Sequence, residues 1–296
     1  MTTTIGITLN SISYTPEAYA YEKYLKNLGY QVQLDLDKKL DPSNDVNIYF
    51  MGTRPFWRKN NNLREIHEYH SLSTPPFARL KDKIKKNANI KPDGRIFLNK
   101  YVDKNLGFND KIPSIYRDMG VDKEFFTKRS MTGKFEYDLV YCGSYRDGFD
   151  RQLLQLSDMG ISVVLIGSFP EKVIDLFRNK KNIKFVGRLS RYEIPHVYSC
   201  ARAGLSYTPN TYPFTFQTTT KVLEYLASGL GIVTNYNLWT KEFIESRRGN
   251  CIFLESKSLS KEYLDSFNFI TPDVSDLEWS NILQRSNFSD FILGES

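Results

Sequence analysis

Apolar residues along this chain fall into two alternating rhythms. Short blocks such as IGITLNSI (5–12), YQVQLDL (30–36) and DVNIYFMG (45–52) alternate or run as strands do, while EAYAYEKYLKNLG (17–29) repeats apolar and aromatic positions at helical spacing and stops at Gly29. TRPFWRKNNN (53–62) then reads as a loop with arginines and exposed aromatics. LREIHEYHSLSTPPFARLKDKIKKN (63–87) holds two histidines and a basic helical segment, and GRIFLNKYV and IPSIYRDMG read as further short strand units. A polar, glycine-containing break falls at SMTGKFE (130–136). Beyond it the order restarts: YDLVYCGSY, ISVVLIGS, NIKFVGRLS, AGLSYTPN and LGIVTN predict strands. DRQLLQLSDMG, PEKVIDLFRNK, YEIPHVYSCA and TKVLEYLASG predict the helices between them.

Strand runs alternating with amphipathic helices imply parallel sheets covered by helices on both faces, an α/β class. The expected division is residues 1–132, residues 133–272, and a helical tail over 273–296 with Trp279, Ile282 and Leu283 on one face. In open parallel sheets ligands gather outside the carboxyl ends of the strands. In the second half those ends read CGSYR, IGSFP, VGRLSR and SYTPN, rich in Gly, Ser and Arg.

Composition narrows the class. With 296 residues, 41% hydrophobic and 25% charged, the chain can bury one large core or two moderate ones. No run of about 18 apolar residues predicts a membrane span, and MTTTIGITLN lacks the pattern of a secretory signal. Cys142, Cys200 and Cys251 lie far apart without metal-type spacing and read as reduced, which fits a cytosolic protein. The net charge of +6 is uneven: residues 1–134 carry 23 Lys+Arg against 15 Asp+Glu, the rest 17 against 19. A basic first half points to an anionic partner or is a solubility feature.

Dinucleotide (GxGxxG), P-loop, GxSxG, HExxH and CxxC patterns are all absent from the sequence. What remains is the set of strand-end loops. Gly143 and Ser144 in CGSYR let backbone N–H groups approach an anion, with Arg146 as a fixed cation behind them, and Gly167 repeats the small-residue turn one strand later. Lys221 and Glu224 begin the helix that follows NTYPFTFQTTT. A helix N-terminus suits a diphosphate, and a carboxylate one turn in can accept two hydroxyls of a ribose. The same pair also reads as a surface ion pair contributing under about 1 kcal/mol.

The pieces YDLVYCGSYR, VVLIGS, NIKFVGRLSRYEIPHVYSCARAGLSYTP and TTTKVLEYLASGLGIVTN resemble the nucleotide-binding domain of GT-B glycosyltransferases, in particular the GT4-like "glycosyl transferases group 1" family. Lys221, Glu224, Tyr225, Ala227 and Gly229 match its K-x-x-E-Y-x-A-x-G signature, and YRDMGVDKEFF (116–126) is similar to the segment before its interdomain linker. The resemblance implies two Rossmann-like domains facing across a cleft, with the C-terminal helix crossing back to the first. It makes Glu224 the ribose ligand and places Arg146 and Lys221 on the donor diphosphate, with Gly143, Ser144, Gly167, Arg188, Thr219 and Thr220 around the nucleotide sugar. The family's first glutamate, eight residues before Glu224, is replaced by Phe216.

In the first half the resemblance makes His70 the candidate catalytic histidine, with His67 behind it, and puts Asn10 in the loop at the cleft floor. Arg54, Trp57 and Arg58 suit an acceptor site, since aromatic faces stack on sugars and arginines clamp phosphates; contact with membrane or a sheet-edge cap is the other reading. Lys81, Lys83, Lys85 and Lys86 suit lipid headgroups. The implied activity is transfer of a sugar from a nucleotide-diphosphate sugar, UDP favoured, to a glycan or lipid-linked acceptor in cell-surface polysaccharide synthesis. It would proceed with retention and with no metal or cofactor, in the cytoplasm, peripheral on the inner face of the plasma membrane through the basic half, and without nucleic acid. A nucleotide-sugar epimerase of the same fold, or a binding protein without catalysis, are the rival readings.

Overall fold

The computed structural model describes residues 2–9, 15–59, 62–126, 135–209, 211–215 and 217–295. The chain forms two compact units, one built from residues 1–120 with 276–296 and the other from 121–275. The boundary expected at 132/133 lies outside the described residues.

In the first unit the order is β1 (Thr4–Leu9), α1 (Pro16–Asn27), β2 (Gln31–Leu36), β3 (Val46–Phe50), β4 (Arg64–Tyr69), α2 (Ala78–Ala88), β5 (Gly94–Phe97), α3 (Lys100–Leu106) and β6 (Ser114–Tyr116). Six strands pair in the order β2-β1-β3-β4-β5-β6, all parallel, with Ile5 opposite both Val32 and Val46. Burial on both faces explains the near-continuous apolar strands: all four residues of β5 are buried.

The second unit runs β7 (Tyr137–Cys142), α4 (Phe149–Asp158), β8 (Val163–Ile166), α5 (Glu171–Leu176), β9 (Ile183–Gly187), α6 (Ile194–Ser199), β10 (Ala201–Ser206), α7 (Thr220–Ala227), β11 (Gly231–Thr234), α8 (Leu238–Ser246), β12 (Ile252–Phe253) and α9 (Lys261–Ser266). Its strand order is β12-β11-β10-β7-β8-β9, again parallel. The chain enters at the central strand β7, builds outward through β8 and β9, then crosses to the other side of β7 with β10. The loops after β7 and β10 therefore part in opposite directions, which leaves a crevice at the carboxyl ends of these two strands. Leu139, Tyr141, Leu153, Leu165 and Leu205 form the core beneath it.

The tail forms α10 (Trp279–Arg285) and α11 (Phe288–Leu293) and belongs to the first unit. Trp279, Ile282 and Leu283 are buried, as their shared face predicts. Trp279 packs where Gly120 has no side chain; a Cβ there would sit 2.4 Å from its ring. The same indole lies 5.1 Å from the Arg117 guanidinium. Arg117 is buried, paired with Glu68 at 2.5 Å and hydrogen-bonded to the Tyr21 hydroxyl. One buried cation thus ties β4, α1 and α10 together.

Candidate functional site

The strand-end loops of the second unit meet at the β7/β10 switch point. Gly143 sits immediately after β7, and the Lys221 side chain passes across it: a Cβ on Gly143 would lie 2.3 Å from the lysine Nζ. Gly167, after β8, stacks as closely on Gly143, where a Cβ would lie 2.1 Å from its carbonyl oxygen. Both residues hold positive φ, 151° and 137°, so neither turn admits a side chain without strain. The Gly143 N–H donates to the Ile166 carbonyl at 2.8 Å, and that of Gly167 to the Gly187 carbonyl at 2.8 Å, which fixes the three loops to one another. Arg188, exposed after β9, joins them by donating to the Ser168 hydroxyl at 2.6 Å. Ser144 is exposed at the crest.

Two cations converge there. The Lys221 Nζ lies 5.1 Å from the centre of the Tyr141 ring. Arg146, half-buried, sits close enough to Tyr141 and Lys221 to act on both electrostatically and lies 5.4 Å from the Phe214 ring. Among the described residues neither cation forms an ion pair. Burial pushes the Lys221 amine down to about 8, and the Arg146 charge adds to that. Two like charges held near each other, partly out of water, gain from an anion between them. Thr219 caps α7 without a side-chain capping bond among the described residues, and Thr220 opens the helix, so the first N–H groups of α7 also belong to this rim.

Glu224 is held by side chains of the protein itself. It is one turn beyond Lys221, but only 4% exposed. One carboxylate oxygen accepts from Arg191 at 2.7 Å, and the other from the Tyr198 hydroxyl at 3.5 Å. Arg191 also donates to Asp122 at 2.5 Å and lies 4.6 Å from the Phe125 ring. Burial raises the Glu224 carboxyl above its ordinary range, and Arg191 opposes that. Two of the roughly four lone-pair positions of a carboxylate are thus taken by the protein. Arg191, Asp122 and Tyr198 were not singled out by the sequence. Arg191 lies 33 positions before Glu224, and only its place in the loop after β9, next to Arg188, hints at a role. Tyr225, inside the signature, supports the floor: its hydroxyl receives the Cys142 N–H at 2.9 Å and donates to the Leu205 carbonyl at 3.1 Å.

In the first unit, His70 follows β4 directly, at the carboxyl end of the sheet. Its ring meets Phe50 edge-on at 5.6 Å, its Nδ1 is buried without a partner among the described residues, and burial lowers its basicity. His67 is fully buried and bonded to Glu65 at 2.7 Å. Arg54 does not offer a free clamp for an acceptor phosphate. Its guanidinium is buried over the Tyr49 ring at 3.8 Å and held by Glu65 at 2.8 Å and Asp37 at 2.9 Å. Arg58 takes the other oxygen of Asp37 at 2.8 Å. Both arginines line a groove of about 330 Å³, but their charge is already matched by these carboxylates, partners far away in sequence. Trp57 stands exposed beside it. Asn10 and Phe216 lie outside the described residues.

Among the described residues, no group of three or more His, Cys, Asp or Glu could hold a metal ion, and no helix is long and apolar enough to cross a membrane. The three cysteines are unbridged.

No family model matches the chain, and no curated protein matches it. Solved structures do. AviGT4, a glycosyltransferase involved in avilamycin A biosynthesis, is 14% identical with a TM-score of 0.62, over 99% of this chain and 98% of that one. UDP-N-acetylglucosamine 2-epimerase from Rickettsia bellii is 10% identical with a TM-score of 0.54, over 99% and 98%. A mutant of T4 phage BGT, in complex with UDP-glucose, is 16% identical with a TM-score of 0.50, over 99% and 92%. The architecture shared with these structures is the two-Rossmann GT-B fold.

Proposed function

We propose that this chain is a glycosyltransferase that takes a sugar from a nucleotide-diphosphate sugar, UDP favoured, and passes it to a glycan or lipid-linked acceptor in cell-surface polysaccharide synthesis. The observation that carries the reading is the pair Arg146 and Lys221: two cations without a carboxylate partner among the described residues, set over paired glycine turns at the β7/β10 switch point. That arrangement suits a diphosphate. As the bond from the anomeric carbon to the diphosphate oxygen breaks, negative charge grows on the leaving group, and these two cations and the N–H groups of α7 stand ready to stabilise it. The acceptor hydroxyl attacks the anomeric carbon from the face the diphosphate leaves, with retention in this reading, and its proton passes to the departing diphosphate oxygen. The leaving-group charge is assigned here to protein groups. Thr219 and Thr220 offer hydroxyls on the sugar side, and Glu224 offers its remaining lone pairs to the ribose.

The test is incubation with UDP-, GDP- and dTDP-sugars, with and without chelator, following release of the nucleotide and the identity of the sugar. The proposal expects nucleotide release from one donor class, undiminished by chelator. Epimerised nucleotide sugar with no net release would support the epimerase reading instead. Lack of binding and turnover with every donor would sink the enzyme claim.

A further inference from the structure

Helix α2 is docked on its unit by its polar side. Ala78 and Asp82 face inward and are buried, with Lys85 and Lys86 half-buried beside them. Asp82 accepts the Ser73 backbone N–H at 3.0 Å, and Lys86 donates to the Gly107 carbonyl. The opposite side carries Leu80 and Ile84, one turn apart, and the chain enters the helix at Phe77. These three are 56%, 47% and 74% exposed. At 100° per residue, Arg79 and Lys83 flank that ridge on one side and Lys81 on the other, and all three are exposed.

A second apolar feature is fixed to the end of the same helix. Pro55 and Asn89 form an antiparallel bridge, the Arg54 N–H donates to the Asn89 side chain at 2.8 Å, and the Ile90 N–H to the Arg54 carbonyl at 2.9 Å. They hold the turn Phe56–Arg58 beside the carboxyl end of α2, with Phe56 75% and Trp57 70% exposed. Along the other flank runs a groove of about 460 Å³, lined by Ser71, Ser73, Thr74, Lys81, Lys85 and Ile84 among others.

Single exposed apolar side chains need no explanation, but a ridge of them does. Here the charge around the ridge names the occupant. The helix carries five Lys and Arg and one Asp, and that Asp is buried, so its exposed charge is wholly positive. Outward apolar residues between cationic flanks are the pattern of a helix lying in the interfacial plane of a bilayer, and Trp favours the headgroup level. We propose that α2 and the Phe56–Trp57 turn seat this chain on an anionic lipid bilayer. Phe77, Leu80 and Ile84 enter the boundary between headgroups and acyl chains. Arg79, Lys81 and Lys83 meet lipid phosphates, and the hydroxyl- and lysine-lined groove receives a headgroup. Lys86, expected among the headgroup contacts, instead turns toward the protein, while Lys85 stays half-buried along the groove.

The full chain is sedimented with vesicles of phosphatidylcholine, with and without phosphatidylglycerol, at low and high salt. It should bind the anionic vesicles and lose binding as salt rises. The double variant Leu80→Glu/Ile84→Glu should partition at least roughly ten-fold less, and Lys83→Glu roughly five-fold less, each keeping the wild-type circular dichroism and UDP affinity. If the double variant does not fold, Arg79→Glu/Lys83→Glu carries the same test. Failure of wild type to bind anionic vesicles, or variants that bind like wild type, would overturn the proposal. So would vesicle binding unaffected by Leu80→Glu/Ile84→Glu while self-association or oligonucleotide binding is lost.

Discussion

Arg191 stands 2.7 Å from the Glu224 carboxylate, and the same guanidinium reaches Asp122 at 2.5 Å. A single arginine therefore neutralises two acidic groups, one of them buried. Replacing it by methionine leaves Glu224, among the described residues, with one long hydrogen bond from Tyr198 at 3.5 Å and no ion pair. Uncompensated buried charge is costly, so Arg191→Met should lower unfolding stability by about 3 kcal/mol in urea titration. A midpoint unchanged from wild type would mean that the pair is not held as described.

The ribose role of Glu224 makes a separate prediction. Wild type should prefer UDP over 2′,3′-dideoxy-UDP, because hydrogen bonds from the diol to a carboxylate are charge-assisted. Glu224→Gln should remove roughly ten-fold or more of that preference. Calorimetric titration of both ligands against both proteins reads it directly. Equal discrimination by the variant would place the ribose elsewhere.

These residues also mark where the sequence stops being informative. The strand and helix order, the buried face of α10, the strand-end glycines Gly143 and Gly167 and the place of Lys221 at the start of a helix follow from local spacing. Arg191, Asp122 and Glu224 meet only because β9 and α7 are brought together by a crossover, which no local pattern encodes. Arg54 looked free for the same reason: Glu65 and Asp37, which hold it, are 11 and 17 residues away. Periodicity located α2 but not its orientation. Apolar residues three to four apart predict a face without saying that Asp82 would be the one to turn inward.

Lys221 gives the site a pH dependence. Its amine is pushed from 10.5 down to about 8. The protonated amine is the form that attracts the diphosphate, so affinity for UDP-glucose should be full below pH 8 and should weaken as pH rises through it. Arg146→Gln removes the neighbouring like charge. The variant should bind less tightly at low pH, and its decline should begin at higher pH. A flat profile in wild type, or an unmoved decline in the variant, would remove Lys221 from the diphosphate.

Trp279 tests the return of the tail. Its indole fills the space left by Gly120 and covers Arg117. Trp279→Ala should cost about 3–5 kcal/mol by thermal or chemical unfolding. Trp279→Phe should cost far less, since the indole N–H is buried without a partner among the described residues and its removal leaves nothing unsatisfied. Equal losses for the two variants would contradict this packing.

The central claim is that Arg146 and Lys221 bind a donor diphosphate. Calorimetric titration of UDP and of uridine against wild type, Arg146→Ala and Lys221→Ala tests it most directly. The account predicts that wild type binds UDP far more tightly than uridine, and that each substitution weakens UDP by roughly ten-fold or more while leaving uridine nearly unchanged. Equal affinity of wild type for UDP and uridine, or UDP binding indifferent to both substitutions, would contradict it.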